Sequence, residues 1–199
     1  MSLFVESIKL KDGVFSRLKL HQERVNKAFD ANFQDEEPIS IFEILNQYAI
    51  PQDGIYKCRI VYDADVQLVE IVPYVRREIK SLKLVVTNIE THTFKQENRT
   101  LYNEAFAQRG NCDDVLLVRN GLLTDTSYCN VALYNGENWF TPRVPLLYGV
   151  DRADLLASGK LIEKDIEVSE LKDYTQIALF NAMIEFGELV LDIEKVVVS

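Results

Sequence analysis

The stretch Asp114-Val-Leu-Leu-Val-Arg119-Asn120-Gly121-Leu-Leu-Thr124-Asp125-Thr126-Ser127-Tyr128-Cys129-Asn130 decides the fold. Asn120-Gly121 between two Val/Leu runs is a two-residue hairpin signal. Primed turns need φ > 0 at both central residues, and Asn and Gly reach that region at least cost. Working outward, Leu82–Asn88 reads as a buried strand and residues 96–109 as a helix, with Leu101, Ala105 and Phe106 apolar. Downstream, Val131–Tyr134 is a strand ending at Asn135-Gly136. Trp139-Phe-Thr-Pro142 leads into a Pro-rich loop, 151–158 is a short helix and 160–166 a strand. Residues 177–180 and 195–198 close the chain as short strands.

The first 75 residues follow a different order. Phe4, Glu6 and Ile8 alternate with Val5, Ser7 and Lys9 as in a strand, and Asp12-Gly13 turns the chain back into Val14-Phe15. Residues 19–33 carry Val25, Ala28 and Phe29 on one helical stripe, with Arg24 at its edge. Pro38 precedes a second helical pattern, Ile39–Tyr48, and two strands, 55–62 and 66–74, meet at Asp63-Ala64-Asp65. Strand–strand–helix–helix–strand–strand is an α+β unit with antiparallel pairing. The expected organisation is therefore an N-terminal α+β subdomain over 1–75, a charged linker over 76–81 and a C-terminal subdomain over 82–199.

Composition narrows the function. The 199 residues include 31 acidic and 22 basic ones, a formal charge of −9. Phosphate-backbone binding needs a basic stripe, and anionic lipid repels such a surface. No apolar run approaches the roughly 20 residues of a membrane span, and the first residues show no signal core. Cys58, Cys112 and Cys129 lack CxxC spacing and read as small apolar residues of a reducing cytoplasm. His21 and His92 offer no zinc spacing, so acid–base chemistry falls to carboxylates, tyrosines or a lysine. Dinucleotide, P-loop, nucleophile-elbow and EF-hand motifs are absent.

A spaced set of residues runs through the second half: Phe94-Lys95-Gln-Glu-Asn98-Arg99, Asn120-Gly121 through Asn130, Trp139-Phe-Thr-Pro142, Pro145-Leu-Leu147-Tyr-Gly149-Val-Asp-Arg152 and Phe180-Asn181-Ala182-Met183. In order and spacing it resembles the fold-type IV pyridoxal phosphate enzymes, which include the class IV aminotransferases and 4-amino-4-deoxychorismate lyase. Glu6-Ser7-Ile8 is similar to the family's Glu-Thr-Ile strand, and His21-Gln-Glu-Arg24 to its His-x-x-Arg helix. The resemblance spans nearly the whole chain. It implies two small α+β subdomains with a pyridoxal 5'-phosphate cleft between them, a homodimer, and a small-molecule amine or amino acid as substrate.

The resemblance also implies roles. Lys95 is the Schiff-base lysine and the proton shuttle. Asp125 pairs with the pyridine nitrogen, where the family usually has Glu, and keeps the ring able to accept electrons. Arg24 offers its fork to the phosphate. Val150 and Asp151, after Gly149, open a helix whose amides cradle phosphate. The family often has Thr at Asp151; read by itself, Asp151 is the N-cap of that helix. Leu147 stacks on the ring, and Asn181-Ala182 form a second phosphate-side loop. Asn98 belongs to the cofactor set, and the string Lys-x-x-Asn-Arg favours the lyase over the aminotransferases. Arg99 and Arg59 are candidates for binding the substrate, Arg59 through a substrate carboxylate, though Arg59 also reads as an ordinary exposed arginine. Glu6 arrives almost at once, so a short variant without the family's usual N-terminal segment is expected. The resulting reading is a lyase releasing pyruvate and 4-aminobenzoate. The alternatives are a class IV amino-acid aminotransferase and a degenerate, non-catalytic member.

Overall fold

Alternating apolar residues in the strands and apolar stripes on the helices build several separate cores. The computed structural model describes residues 3–198. They divide into two units: the chain up to Arg76 together with Thr93–Asn98, and Arg77–His92 together with the chain from Arg99 onward.

In the first unit β1 (Phe4–Lys11), β2 (Val14–Phe15), β3 (Ile55–Tyr62) and β4 (Val66–Pro73) form an antiparallel sheet in the order β2-β1-β3-β4. Asp12 and Gly13 take φ of 47° and 80°, the primed geometry that matches strand twist. Helix α1 (Leu18–Asn32) packs Val25, Ala28 and Phe29 against Phe4, Ile8, Cys58, Ile60 and Tyr62. Helix α2 (Ile41–Leu45) is shorter than the expected 39–48. The Ser40 hydroxyl caps its start by accepting from the Glu43 amide. Past Leu45, Gln47 and Tyr48 donate to Ile44 and Leu45, tightening the chain into i→i+3 turns.

The second unit holds β5 (Leu82–Val86), α3 (Thr100–Ala107), β6 (Asp114–Arg119), β7 (Leu122–Thr126), β8 (Asn130–Tyr134), β9 (Trp139–Pro142), α4 (Val150–Ala157), β10 (Ile162–Lys164), β11 (Gln176–Phe180), β12 (Val190–Asp192) and β13 (Val196–Val197). The sheet runs β10-β9-β8-β7-β6-β5-β13, with β11 also on β8 and β12 on β11. Asn120 and Gly121 have φ of 53° and 80°, the primed hairpin expected from their sequence. Alternation on β6 sends Leu116 and Val118 into one core with Val131, Leu133, Ile177 and Leu179. Val115 and Leu117 enter another with Val85, Ala105 and Leu146. Cys58 and Cys129 are buried thiols, Cys112 is partly buried, and all three are free. Among the described residues no helix is long and apolar enough to cross a membrane.

Two boundaries differ from expectation. Residues 77–81 are not a free linker. Arg77 pairs with the buried Asp114 at 3.0 Å and lies over the rings of Phe106 and Tyr128, and Ile79 is buried in the second unit's core. Lys95 belongs with the first unit rather than the C-terminal subdomain. The Val5 amide donates to the Lys95 carbonyl and the Glu97 amide to the Leu3 carbonyl, both at 2.8 Å, so this strip lies along β1. That commitment also shortens α3 from the expected 96–109, because its helical backbone starts only after Arg99.

Candidate active site

Strand β1 sets the polar groups of the first unit. Glu6 and Ser7 are successive strand residues and so face opposite sides of the sheet. Towards α1, the Glu6 carboxylate accepts from Arg24 Nε at 2.8 Å and Nη2 at 2.6 Å, and lies 2.5 Å from His21 Nδ1. All three side chains are buried. Burial alone would raise the Glu6 carboxyl; the Arg24 charge and the bonds from His21 and Arg24 outweigh it and hold Glu6 at about 2. Burial lowers His21, so the imidazole is neutral at pH 7. Glu6 occupies Nε and Nη2 of Arg24 and leaves Nη1 for another acceptor. Arg24 is thus buried against the sheet rather than at the edge of the helical stripe. On the other face of β1, Lys95 Nζ donates to Ser7 Oγ at 2.9 Å.

Two further candidates lie in this unit. Asn98 is exposed. Arg59 donates to Glu97 at 2.8 Å and to Glu70 at 3.3 Å, so two carboxylates already match its charge.

The second unit builds a cage around Asp125, which is 4% exposed. Asp125 pairs with Asn130 across the β7–β8 turn. The Asn130 amide donates to Asp125 Oδ1 and to the Leu147 carbonyl, both at 2.9 Å, while the Leu147 amide donates to Asp125 Oδ2 at 2.9 Å. Burial pushes the Asp125 carboxyl up to about 6, against the pull of these donors and of the Arg152 charge. Gly149 is required here by space, not by φ. A Cβ built on it would lie 2.1 Å from Asn130 Oδ1.

The segment between β9 and α4 carries Leu147, half-buried, and leads into the helix. Gly149, not Asp151, is the N-cap of that helix; Val150 and Asp151 lie in its first turn, with Asp151 1% exposed. A buried carboxylate there suits the positive helix end and works against a phosphate at the same place. The Asn181 side chain is engaged in its own turn. Its amide donates to the Tyr128 carbonyl, and its oxygen accepts from the Met183 and Ile184 amides. Ala182 sits within that turn, half-buried. Arg99 donates to the Ser127 carbonyl and stacks on Tyr102 at 5.0 Å.

Sequence reasoning placed Glu6, Ser7, His21 and Asn130 within the motifs but gave them no part in holding these groups in place. The signals were present. An acidic residue in a strand otherwise apolar on that face needs a cation, and His21 and Arg24, three apart, share a helix face. Asn130 was legible only as the end of a hairpin, because its partners Leu147 and Gly149 are distant in sequence.

Comparison with known proteins adds to this geometry. The family described as amino-transferase class IV matches residues 3–189. A Haemophilus influenzae protein of unassigned activity is 30% identical over 181 residues, covering 89% of this chain and 96% of its own. A solved structure from Haemophilus somnus, named a "putative 4-amino-4-deoxychorismate lyase", superposes with a TM-score of 0.85 at 28% identity, covering 93% of this chain and 98% of that one. A "putative amino-acid aminotransferase" from Mesorhizobium loti shares the fold, with a TM-score of 0.81 at 22% identity and 99% and 100% coverage. Ordered motifs, two α+β units and a family match over 3–189 lead to one conclusion: the chain belongs to the class IV aminotransferase family, of fold type IV.

Proposed function

We propose that this chain is a pyridoxal phosphate-dependent lyase that releases pyruvate from 4-amino-4-deoxychorismate and leaves 4-aminobenzoate. The observation that carries the cofactor assignment is the Asp125 cage. A buried carboxylate with both oxygens anchored, and a raised affinity for protons, suits a ring N–H. When bound, the cofactor supplies an electron sink for the carbon next to the substrate nitrogen.

The chain's own residues do the rest. Lys95, its amine steadied by Ser7, provides the attachment and moves the proton. Asp125 holds the ring nitrogen's proton. Leu147 offers apolar surface to the ring. Arg24, through Nη1, serves the phosphate together with the turn at Asn181 and Ala182 and the backbone amides of Val150 and Asp151, whose hold the Asp151 carboxylate weakens. Asn98 completes the cofactor set. The lyase reading is favoured by the Lys95-x-x-Asn98-Arg99 string and by the name of the Haemophilus somnus relative. We also propose that the chain works as a homodimer.

The test is direct. Purified protein given pyridoxal phosphate should gain a visible absorption band, and borohydride should fix the cofactor to the peptide carrying Lys95. Lys95→Ala should lose both. Incubation with 4-amino-4-deoxychorismate alone should release 4-aminobenzoate. A product that forms only when an amino donor and a 2-oxo acid are supplied together would make the chain an aminotransferase. Cofactor bound at full strength by Lys95→Ala would remove Lys95 from its role.

A further inference from the structure

Arg24, Arg59, Arg77, Arg119, Arg143 and Arg152 each face a carboxylate within ion-pair distance. Arg99 does not, among the described residues. Its one side-chain hydrogen bond goes from Nη2 to the neutral carbonyl of Ser127. Asp114, whose field reaches it, is already bonded to Arg77 and to the Val115 amide. Three costs converge on this side chain. It is partly buried without a counter-ion, which is expensive for any cation. It is the N-cap of α3, the positive end of the helix dipole, where cations are disfavoured. Stacking on Tyr102 fixes the guanidinium plane and so removes rotamer freedom. Arg109 makes the contrast. It also lacks a carboxylate, but it lies just past the C-terminal end of α3, bonded to the Phe106 carbonyl, where a cation is favoured.

We propose that Arg99, not Arg59, receives the carboxylate of the substrate. Nη2 keeps a second N–H, and together with its neighbour on the edge turned away from Ser127 it presents, on a guanidinium held over an aromatic ring, a fork that carboxylates match. The place is right as well. Tyr102, beneath Arg99, is pushed above its ordinary value by burial first and by the Asp125 charge second, so arginine and pairing carboxylate share a neighbourhood. Arg59 has its charge met by Glu70 and Glu97 and would have to surrender one of them. The choice of a carboxylate, rather than another anion, rests on the proposed amine chemistry. The lyase and aminotransferase readings share it, as a benzoate or as a 2-oxo acid.

Calorimetric titration separates these sources and tests the assignment. Wild type, Arg99→Met and Arg59→Met are each titrated with 4-aminobenzoate against neutral 4-aminobenzamide, and with pyruvate against neutral pyruvamide. Wild type should prefer the acid in at least one pair, and Arg99→Met should lose that preference by about tenfold or more while Arg59→Met keeps it. Loss in the aromatic pair assigns a benzoate; loss in the other assigns a 2-oxo acid. No preference in wild type, retention in Arg99→Met, or loss in Arg59→Met overturns the proposal. Melting adds a readout independent of any ligand. Arg99→Met should melt at or above the wild-type temperature, because an uncompensated cation is removed. A lowered melting temperature would make Arg99 a structural tie and sink the idea. If pyridoxal phosphate fails to attach at Lys95 while Arg99→Met still loses the preference, the proposed function falls and this inference stands.

Discussion

Asp125 and Glu6 are both buried carboxylates, and their surroundings drive them in opposite directions. Glu6 meets a guanidinium and an imidazole and is held at about 2; Asp125 meets only neutral amide donors at close range and rises to about 6. The stability consequences have opposite sign. For Glu6 the folded value lies below the ordinary 4.5, so its contribution is full above 4.5 and is lost as pH falls towards 2. For Asp125 the folded value lies above the ordinary 3.8, so its contribution is full below 3.8 and is lost as pH rises through 6. Without cofactor, Asp125→Ala should therefore cost more stability at pH 4.5 than at pH 7. The difference should be about 2 kcal/mol, read from urea midpoints at the two pH values. An equal cost at both would mean that Asp125 titrates normally. The carboxylate itself was legible from its place in the hairpin motif. Its raised affinity for protons was not, because that depends on Leu147 and Asn130 closing over it.

The β7–β8 turn and the start of α4 form one device at the scale of elements. Asn130 ends the turn, reaches Asp125 and the Leu147 carbonyl, and fills the space beside Gly149. Gly149→Ala should displace the Asn130 amide and destabilise the chain by about 1–3 kcal/mol, the range for overpacking. Asn130→Ala should cost a similar amount through its lost hydrogen bonds. In the double variant the new methyl enters the space that Asn130 vacated, so the two losses should add to less than their sum in a double-mutant cycle. Strict additivity would show that the contact imposes no constraint. Element ends were where the sequence was hardest to read. The Asn120-Gly121 hairpin was legible because its turn chemistry is local. The ends of α2 and α3 were set by the Ser40 cap and by the strip along β1, neither of which shows in helical periodicity. β12 has three residues, too few for any period to register.

Across the whole molecule, chain order and contact order part company in one place. Strand and helix order read correctly except at β9 and β12, which were not read as strands, so the α+β class was legible. The membership of Thr93–Asn98 was not, since it leaves a unit at Arg76 and rejoins it after a strand that belongs elsewhere. The pairing with β1, the Phe94 ring, the Lys95–Ser7 bond and the Arg59–Glu97 pair hold it there; Phe94 meets Phe4 edge-on, with ring centroids 5.9 Å apart. Lys95 therefore depends on the first unit's core for its position, although it precedes the helix of the second. Phe94→Ala should lower the first unit's stability by about 2 kcal/mol, less than for a fully buried ring because Phe94 is only partly covered. Hydrogen exchange locates the effect. Protection should fall at the amides of Val5, Ile8 and Ile60, and stay at wild-type values at Leu116, Leu133 and Ile177 in the second unit's core. The strip's hold on Lys95 should loosen in step, seen as slower borohydride trapping of pyridoxal phosphate at that residue. Equal loss of protection in both units would show that they open as one, and that the strip is no local anchor for the lysine.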